Sequence, residues 1–303
     1  MDRNLVIVCA GDQSQHQRFA DSRNFDLWVI YYGQSDAVFE DYQRTADRIF
    51  RLRGLKWALL RSLIDLHLAG KNSPFDAYRY IFLPDDDLDF PNGATDIQRL
   101  LDVMALTNAD IGQPAIANQY FSWEPTRLVP DALCHATNIV ELMSPVYSAE
   151  VFLQFVLPCT AALDFLRAGW GIEVVIAKAA EVGLRRPART FVFDSVPMIH
   201  TRPVGQGGTP HRVGENEALM MPGVLANRMA TYGGFRSYER ARTFAFPFVR
   251  DATDHGANEL AMRRVSDKAA CAQGLAQRDA MLASTSWRLT APLRGLSRLV
   301  RKT

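Results

Sequence analysis

The chain has 303 residues, 48% of them hydrophobic and 22% charged, with a net charge of +1. That composition fits one large globular domain or two smaller ones, and it supplies no global basic field for nucleic acid. The four cysteines, Cys9, Cys134, Cys159 and Cys271, are scattered without a CxxC pair and read as reduced core thiols of a cytosolic protein. Leu5–Ala10 is a strand-length run rather than a signal peptide, and no apolar run reaches the length of a transmembrane helix.

Asn4–Ala10, NLVIVCA, predicts a buried strand ending at Gly11-Asp12, and Asp26–Tyr32, DLWVIYY, a second ending at Gly33. His16 and Arg18 lie in the polar segment between them. Two early strands with glycine at their ends suggest the nucleotide-binding half of an α/β sheet. The absence of GxGxxG argues against a dinucleotide dehydrogenase. Gly54–Gly70 predicts an amphipathic helix, with Leu55, Leu59, Leu63, Leu66 and Ala69 at helical spacing and Gly70 as a stop. His67 on that helix reads as a surface or packing residue. Arg51, Arg53 and Lys56 cluster at the helix entrance, where backbone N–H groups favour anions. The functional reading is diphosphate contact; the bland one is a solvated charge cluster.

Tyr78–Phe90, YRYIFLPDDDLDF, is the stretch richest in chemistry. Tyr80–Leu83 predicts a short buried strand, and Pro84 ends it. Asp85, Asp86 and Asp87 are then released at the strand tip, with Asp89 beyond. Adjacent aspartates repel, so their packing there makes sense around a hard cation, Mn²⁺ or Mg²⁺, shared by Asp85 and Asp87. The bland alternative is an acidic surface turn. Open α/β sheets bind ligands at the carboxyl ends of their strands, which favours the functional reading. Removing one of these acids is expected to relieve repulsion in the metal-free protein.

Ala94–Thr107 predicts a helix with Ile97, Leu100, Leu101 and Met104 on one face, and Ala109–Ala115 a strand. Ala136–Pro145 mixes apolar and polar residues and is expected to run through the site, with Glu141 inside it and His135 and Asn138 able to face an acceptor. Val151–Ala168 predicts a helix interrupted by Pro158. Gly169-Trp170-Gly171-Ile172-Glu173 follows, then a helix from about Val174 to Val182. Trp170 offers a stacking face on the acceptor side. Glu173 at the helix start is either a first-turn acid that complements the helix dipole or a catalytic base. Phe191–Val196 predicts a strand leading through Pro197 to His200, a plausible metal ligand. Residues 205–214 are a glycine-rich loop, either a lid or a plain surface excursion. Asn258–Ser284 predicts a long helix outside the main core.

In this order the acidic strand tip, GWGIE and the late histidine resemble the GT-A glycosyltransferases. The resemblance implies a GT-A-like nucleotide-diphospho-sugar transferase fold: α/β, with a mixed, mostly parallel central sheet flanked by helices. It also implies a DxD metal motif, an acidic base at a helix start and a late metal-binding histidine. More narrowly, YIFLPDDDLDF, IGQPAI, ELMSPVYS, GWGIE and FDSVPMIHTRPVG together resemble the domain-of-unknown-function family 707, over roughly Asn4–Pro210. Its plant members carry a label relating them to lysine ketoglutarate reductase trans-splicing. That family commonly carries Asp where this chain has Glu173. Separately, Ser284–Arg294, STSWRLTAPLR, resembles a SxSWRLTxPLR signature at the ends of bacterial surface-polysaccharide glycosyltransferases.

These readings give a transferase domain over residues 1–248 and a helical tail over 249–303. Asp85, Asp87 and His200 would hold the metal. Asp86, Arg53 and Lys56 would face the nucleotide-sugar donor. Glu173 would take the acceptor proton, with Glu141 and Trp170 on the acceptor side. The acceptor expected is a glycan or a lipid-linked molecule. The tail places Leu289, Leu293, Leu296, Leu299 and Val300 opposite Arg294, Arg298, Arg301 and Lys302. Such a helix suits an anionic membrane surface, so the expected location is cytoplasmic and peripheral on the inner face of the membrane. The bland reading packs the tail on the main domain or a second subunit. Two rival functions are a metal-dependent phosphohydrolase with Asp85 as nucleophile, although Asp89 stands where that pattern wants Thr or Val, and a non-catalytic sugar- or partner-binding module.

Overall fold

The structure, a computed structural model, describes residues 3–68, 73–137, 139–162, 167–173 and 188–203, together with the single positions 176, 180, 184 and 186. The side chain of His67, the position of Asn138, the glycine-rich loop from 205 and the whole tail lie outside the described residues.

Nine strands form the sheet among the described residues. They are β1 (Arg3–Ala10), β2 (Asp26–Tyr31), β3 (Arg48–Arg51), β4 (Tyr78–Phe82), β5 (Leu88–Asp89), β6 (Ile111–Ile116), β7 (His135–Ala136), β8 (Val146–Ser148) and β9 (Thr190–His200). The order across the sheet is β3-β2-β1-β4-β8-β6-β9-β5, with β7 also pairing β9. The pairs β1–β2, β1–β4, β2–β3 and β6–β9 are parallel. β8 runs antiparallel to both β4 and β6. The short β5 and β7 run antiparallel to β9.

Helices α1 (Asp36–Thr45), α2 (Lys56–Leu68) and α3 (Ala94–Thr107) follow β2, β3 and β5. A last helical run comprises α4 (Ala149–Val151), a π-helical stretch (Phe152–Val156) and α5 (Leu157–Ala162). Proline lacks the N–H and crowds the carbonyl four residues back. The wider π turn immediately before Pro158 keeps the helical run continuous where the sequence predicts an interruption.

Alternation along β1 builds a core on each face of the sheet. Leu5, Ile7 and Cys9 pack with Trp57, Leu60 and Ile64 of α2 and with Phe152. Val6, Val8 and Ala10 pack with Ile97, Leu101 and Met104 of α3 and Tyr42 of α1. Successive strand side chains point to opposite faces, so one strand feeds both cores. β1 and β4 are therefore nearly continuous apolar runs, as strands buried on both faces must be.

β1, β2, β3, β4, β6 and β9 all point the same way. Their carboxyl ends, Ala10, Tyr31, Arg51, Phe82, Ile116 and His200, share one edge of the sheet, and the segments after them gather there. Sheets of this kind place ligands at that edge.

Candidate functional site

β4 ends as expected, and Pro84 carries the chain into Asp85, Asp86 and Asp87. The three carboxyls meet three different environments. Asp86 turns back to the ends of β1 and β2: its Oδ2 accepts from Gly11 N and from Tyr32 Oη, each at 2.8 Å. Burial pushes its carboxyl above the usual range, against the pull of these two donors. Asp86 O also accepts from Gln15 N at 2.7 Å, which anchors the loop after β1.

Asp85 Oδ1 accepts from Lys56 Nζ at 2.6 Å. The same ammonium donates to Leu83 O and Leu142 O, both at 2.7 Å. Ammonium carries three donors, and all three are used. Lys56 thus pins the acidic loop and the 139–145 segment to the start of α2, rather than reaching out towards a diphosphate as expected from the charge cluster. Its neighbours in that cluster also have local partners. Arg53 Nη1 donates to Tyr32 O at 2.6 Å, and Arg51 pairs with Asp36 at 2.6 Å. Burial pushes the Asp85 carboxyl up to about 6 against the attraction of Lys56, although 36% of the side chain stays exposed.

Asp87 is 8% exposed. Its Oδ2 lies 3.4 Å from His200 Nε2, and its Oδ1 is buried without a hydrogen-bond partner. The pairing of β5 with β9 sets this meeting, since Leu88 lies opposite His200. Thr201 closes it: its N and Oγ1 donate to Asp87 O at 2.9 and 2.7 Å. His200 Nδ1 donates to Tyr120 O at 2.8 Å, which in the neutral ring leaves Nε2 as an acceptor facing a carboxylate oxygen. Two acceptors face to face require a proton or a cation between them. Burial lowers the His200 pKa, but the hydrogen bond and charge of Asp87 outweigh it and hold the imidazole above its ordinary value.

Among the described residues no three His, Cys, Asp or Glu side chains form a ready metal cage. The donors present nonetheless fit a hard cation that takes part of its shell from substrate phosphate and water. Asp87 offers an unused buried oxygen. His200 has the backbone-anchored far nitrogen common in metal-binding histidines, and Asp85 stands two residues away.

A second acidic group lies beyond Lys56. Gly169 and Gly171 have φ of +94° and +97°, a backbone that favours glycine. A Cβ on Gly169 would meet the Trp57 indole at 2.1 Å. The GWG turn therefore sits directly on the first turn of α2, and Trp57 N donates to Arg167 O at 3.0 Å. Glu173, 9% exposed, follows this turn. Its carboxylate accepts from Gly171 N at 2.8 Å. Burial pushes its carboxyl up to about 8, and the charge of Glu141 adds to the shift. Trp170 of the same turn is half-buried.

Glu141 is buried, and its Oε1 accepts from Ser122 N, Trp123 N and Thr126 Oγ1 at 2.6, 2.9 and 3.0 Å. Burial raises its pKa against these donors. Its neighbours tie the two acidic groups together: Leu142 O accepts a hydrogen bond from Lys56 Nζ, and Asp85 N donates to Met143 O at 2.7 Å. His135, expected to be able to face an acceptor, is instead 1% exposed. Its two ring nitrogens meet Asp194 Oδ2 at 2.8 Å and Pro125 O at 2.7 Å. Both partners are acceptors, so it is a buried, charged structural histidine, and the pair with Asp194 outweighs burial in raising its pKa. Glu141 has a similar bracing role. The residues that sequence reasoning passes over are Tyr32 and the segment Asn118–Trp123, a polar stretch with no periodicity to mark it.

No protein-family model matches the chain, and no curated protein matches it in sequence. Among solved structures, residues 1–349 of S. aureus TarS match with a TM-score of 0.50 at 9% identity, covering 84% of this chain and 72% of that one. The same TarS segment in complex with UDP matches with a TM-score of 0.43 at 10% identity, covering 76% and 72%. Glucosyl-3-phosphoglycerate synthase from Mycobacterium tuberculosis, crystallised with Mn²⁺, UDP and phosphoglyceric acid, gives 0.45 at 13% identity, covering 77% and 78%. The first of these carries the likeness, which is one of fold: a mixed α/β, mostly parallel sheet flanked by helices, in the GT-A-like arrangement.

Proposed function

We propose that the chain is a metal-dependent glycosyltransferase that moves a sugar from a nucleotide-sugar donor to an acceptor hydroxyl. The carrying observation is a pair of acidic groups of opposite character at one sheet edge. Asp85, Asp87 and His200 present oxygen and nitrogen donors suited to a cation and a diphosphate. Glu173, joined to them through Lys56 and the 139–145 segment, is a carboxyl whose pKa lies near neutral pH, where a general base works best. In the reaction the bond from the anomeric carbon to the diphosphate oxygen breaks and a bond to the acceptor oxygen forms. Glu173 takes the acceptor proton. A divalent cation held by Asp85, Asp87 and His200 supplies charge neutralisation for the departing diphosphate. Asp86 holds the ends of β1 and β2 together and Arg53 lies beside Tyr32, both on the donor side. Trp170 lines the acceptor side, whereas Glu141, expected there, is buried and braces the 122–126 segment behind it.

A single base there suits inversion at the anomeric carbon. The GT-A-like fold favours this reading over the phosphohydrolase and leaves the binding module as the rival. A nucleotide-release assay with a panel of donors separates them. The transferase releases nucleoside diphosphate only with acceptor and divalent cation present; a binding module releases none under any combination.

The metal role makes a sharper prediction now that the three acids are distinguished. Asp87→Asn should leave the metal-free melting temperature equal or higher, since it removes a charge from a crowded loop. It should also abolish the stabilisation given by Mn²⁺ with a nucleoside diphosphate. Asp85→Asn should lower the metal-free melting temperature, because it weakens the Lys56 bridge. This corrects the expectation that removing either acid relieves repulsion alone. Full Mn²⁺ stabilisation of both variants in thermal melts would remove the metal from this loop.

The narrower setting also belongs to this proposal: kinship with family 707, and work in bacterial surface-polysaccharide assembly on a glycan or lipid-linked acceptor. Among the described residues no helix is long and apolar enough to cross a membrane. The apolar and basic faces of residues 284–303 would instead hold the enzyme at an anionic surface, each base adding roughly 1 kcal/mol before screening by salt. The full chain should float with anionic liposomes at low salt, whereas a chain ending at Ala283 should not. Equal flotation of the two sinks the membrane role.

A further inference from the structure

β6 and β9 pair in parallel as far as Ile116 and Met198, and Ala117 N donates to Met198 O at 2.9 Å just beyond. There β6 stops. The chain turns away and returns at Arg127, which pairs with Ile116, and Leu128 N donates to Ile116 O at 2.9 Å. β9 runs on to His200. Along a strand the backbone N–H and C=O of alternate residues face the same edge, so those of Met198 and His200 both point to the β6 side. The other edge belongs to β5, where Leu88 lies opposite His200 and Thr201 N donates to Asp87 O. His200 is 6% exposed, and buried backbone groups need partners.

Asn118 supplies them. Its Nδ2 donates to His200 O at 2.7 Å, and its Oδ1 accepts from His200 N at 3.4 Å. A carboxamide carries a donor and an acceptor side by side, and here it replaces the peptide group that β6 no longer offers. Two residues on, Tyr120 O accepts from His200 Nδ1 at 2.8 Å. The Tyr120 ring stands at 87° to the imidazole, with centroids 6.4 Å apart. Backbone and ring of His200 are thus held by one short segment.

We propose that Asn118 is a positioning residue for His200: its carboxamide adds one rung to the β6–β9 ladder, keeps Tyr120 O against Nδ1 and so keeps Nε2 turned to Asp87. The proposal rests on the reading of His200 as a metal ligand. Ligating histidines are oriented through their far nitrogen. The partner of that nitrogen here lies outside any strand or helix, and Asn118 ties it to β9. Ser122 N and Trp123 N hold the other side of the segment to Glu141. Losing the carboxamide should therefore loosen the near side without unfolding the loop.

The test uses the full chain with ¹⁵N-labelled histidine, with His200→Asn identifying the ring signals. In the metal-free protein the His200 Nδ1–H should be protected from exchange with water by its bond to Tyr120 O. Asn118→Leu keeps the volume and removes both hydrogen bonds. It should abolish that protection and weaken binding of Mn²⁺ alone, followed by the paramagnetic resonance of the free ion, by about 10–100-fold. Asn118→Asp keeps the oxygen facing His200 N and sets an acceptor against His200 O. It should weaken Mn²⁺ binding too, although its added charge by itself attracts a cation. Should leucine prevent folding, the aspartate variant carries the test. Unchanged Mn²⁺ affinity in the Asn118 variants, with affinity lost in His200→Asn, overturns the positioning role and leaves the metal reading standing. Affinity lost while Nδ1–H stays protected also overturns it. Unchanged affinity in His200→Asn removes His200 from the metal, and the positioning role falls with that reading.

Discussion

Glu173→Gln should cut turnover by about 10²–10⁴-fold, the range for loss of a general base, while Mn²⁺-dependent binding of nucleoside diphosphate changes little. The amide keeps the volume and can still accept from Gly171 N, so the GWG turn should survive. On the proposed mechanism the base must be ionised in the unsubstituted protein. Activity should therefore fall as pH drops below the Glu173 value of about 8, and the acid limb of kcat/KM reads it. The same carboxyl links pH to stability. Its folded value lies above its ordinary 4.5, so the native state holds this proton more tightly than the unfolded chain does. The stability it contributes is fully present below about 4.5 and is lost as pH rises towards 8. Glu173→Gln should melt progressively higher than the unsubstituted protein over that interval. Near-normal turnover would return Glu173 to the role of a first-turn acid.

Lys56→Met should be among the most destabilising single changes at this edge of the sheet. The side chain is 15% exposed, and its three donors serve Asp85, Leu83 O and Leu142 O. Methionine fills the volume and leaves all three acceptors unpaired. Breaking a buried ion pair from one side costs about 3–5 kcal/mol. The lower end, about 3 kcal/mol, applies because 36% of the Asp85 side chain reaches solvent and water screens it. For a domain of this size the melting temperature should drop by roughly 6–12 °C. Arginine should not rescue it, since a planar fork cannot place three donors around one point. A loss below 1 kcal/mol in denaturant titration would show that the bridge is dispensable.

Much of the fold is legible in the residues, for reasons that differ by element. β1, β2, β4 and α3 carry their own signal, because each is an apolar run of the right length bounded by glycine, proline or a polar turn. α3 has the predicted bounds, Ala94–Thr107. α1 and β3 are missed. DAVFEDYQRT buries only Tyr42, and RIFR is four residues at the sheet edge with its arginines exposed. β5 and β7 have two residues each and exist only because β9 pairs with them; no local pattern could announce them. At the site, the acids and His200 are visible as residue types, and the sheet brings Asp87 and His200 together. Lys56 misleads, because a cation near acids looks the same in sequence whether it faces a ligand or braces a loop. Tyr32 reads as the last residue of an apolar strand, and only the return of Asp86 gives its hydroxyl a purpose. Ser122 and Trp123 are invisible for a related reason, since their part in the site is the pair of backbone N–H groups they donate to Glu141.

The two-residue β5 also bears on how the protein is made. Thr201 and Asp87, which close the acidic loop, stand 114 residues apart along the chain. The block β3-β2-β1-β4 is complete in sequence by Phe82, and its parallel pairs with α1 and α2 can assemble while the rest is still being synthesised. β8 must then insert antiparallel beside β4, and β9 beside β6, before the acidic loop has a wall to close against. Contacts this distant in sequence are slow to form. In refolding, the apolar sheet should therefore gain protection from hydrogen exchange before the amides of Asp87–Asp89. The three aspartates would spend the interval hydrated and apart, their mutual repulsion deferred until the last strand draws them in.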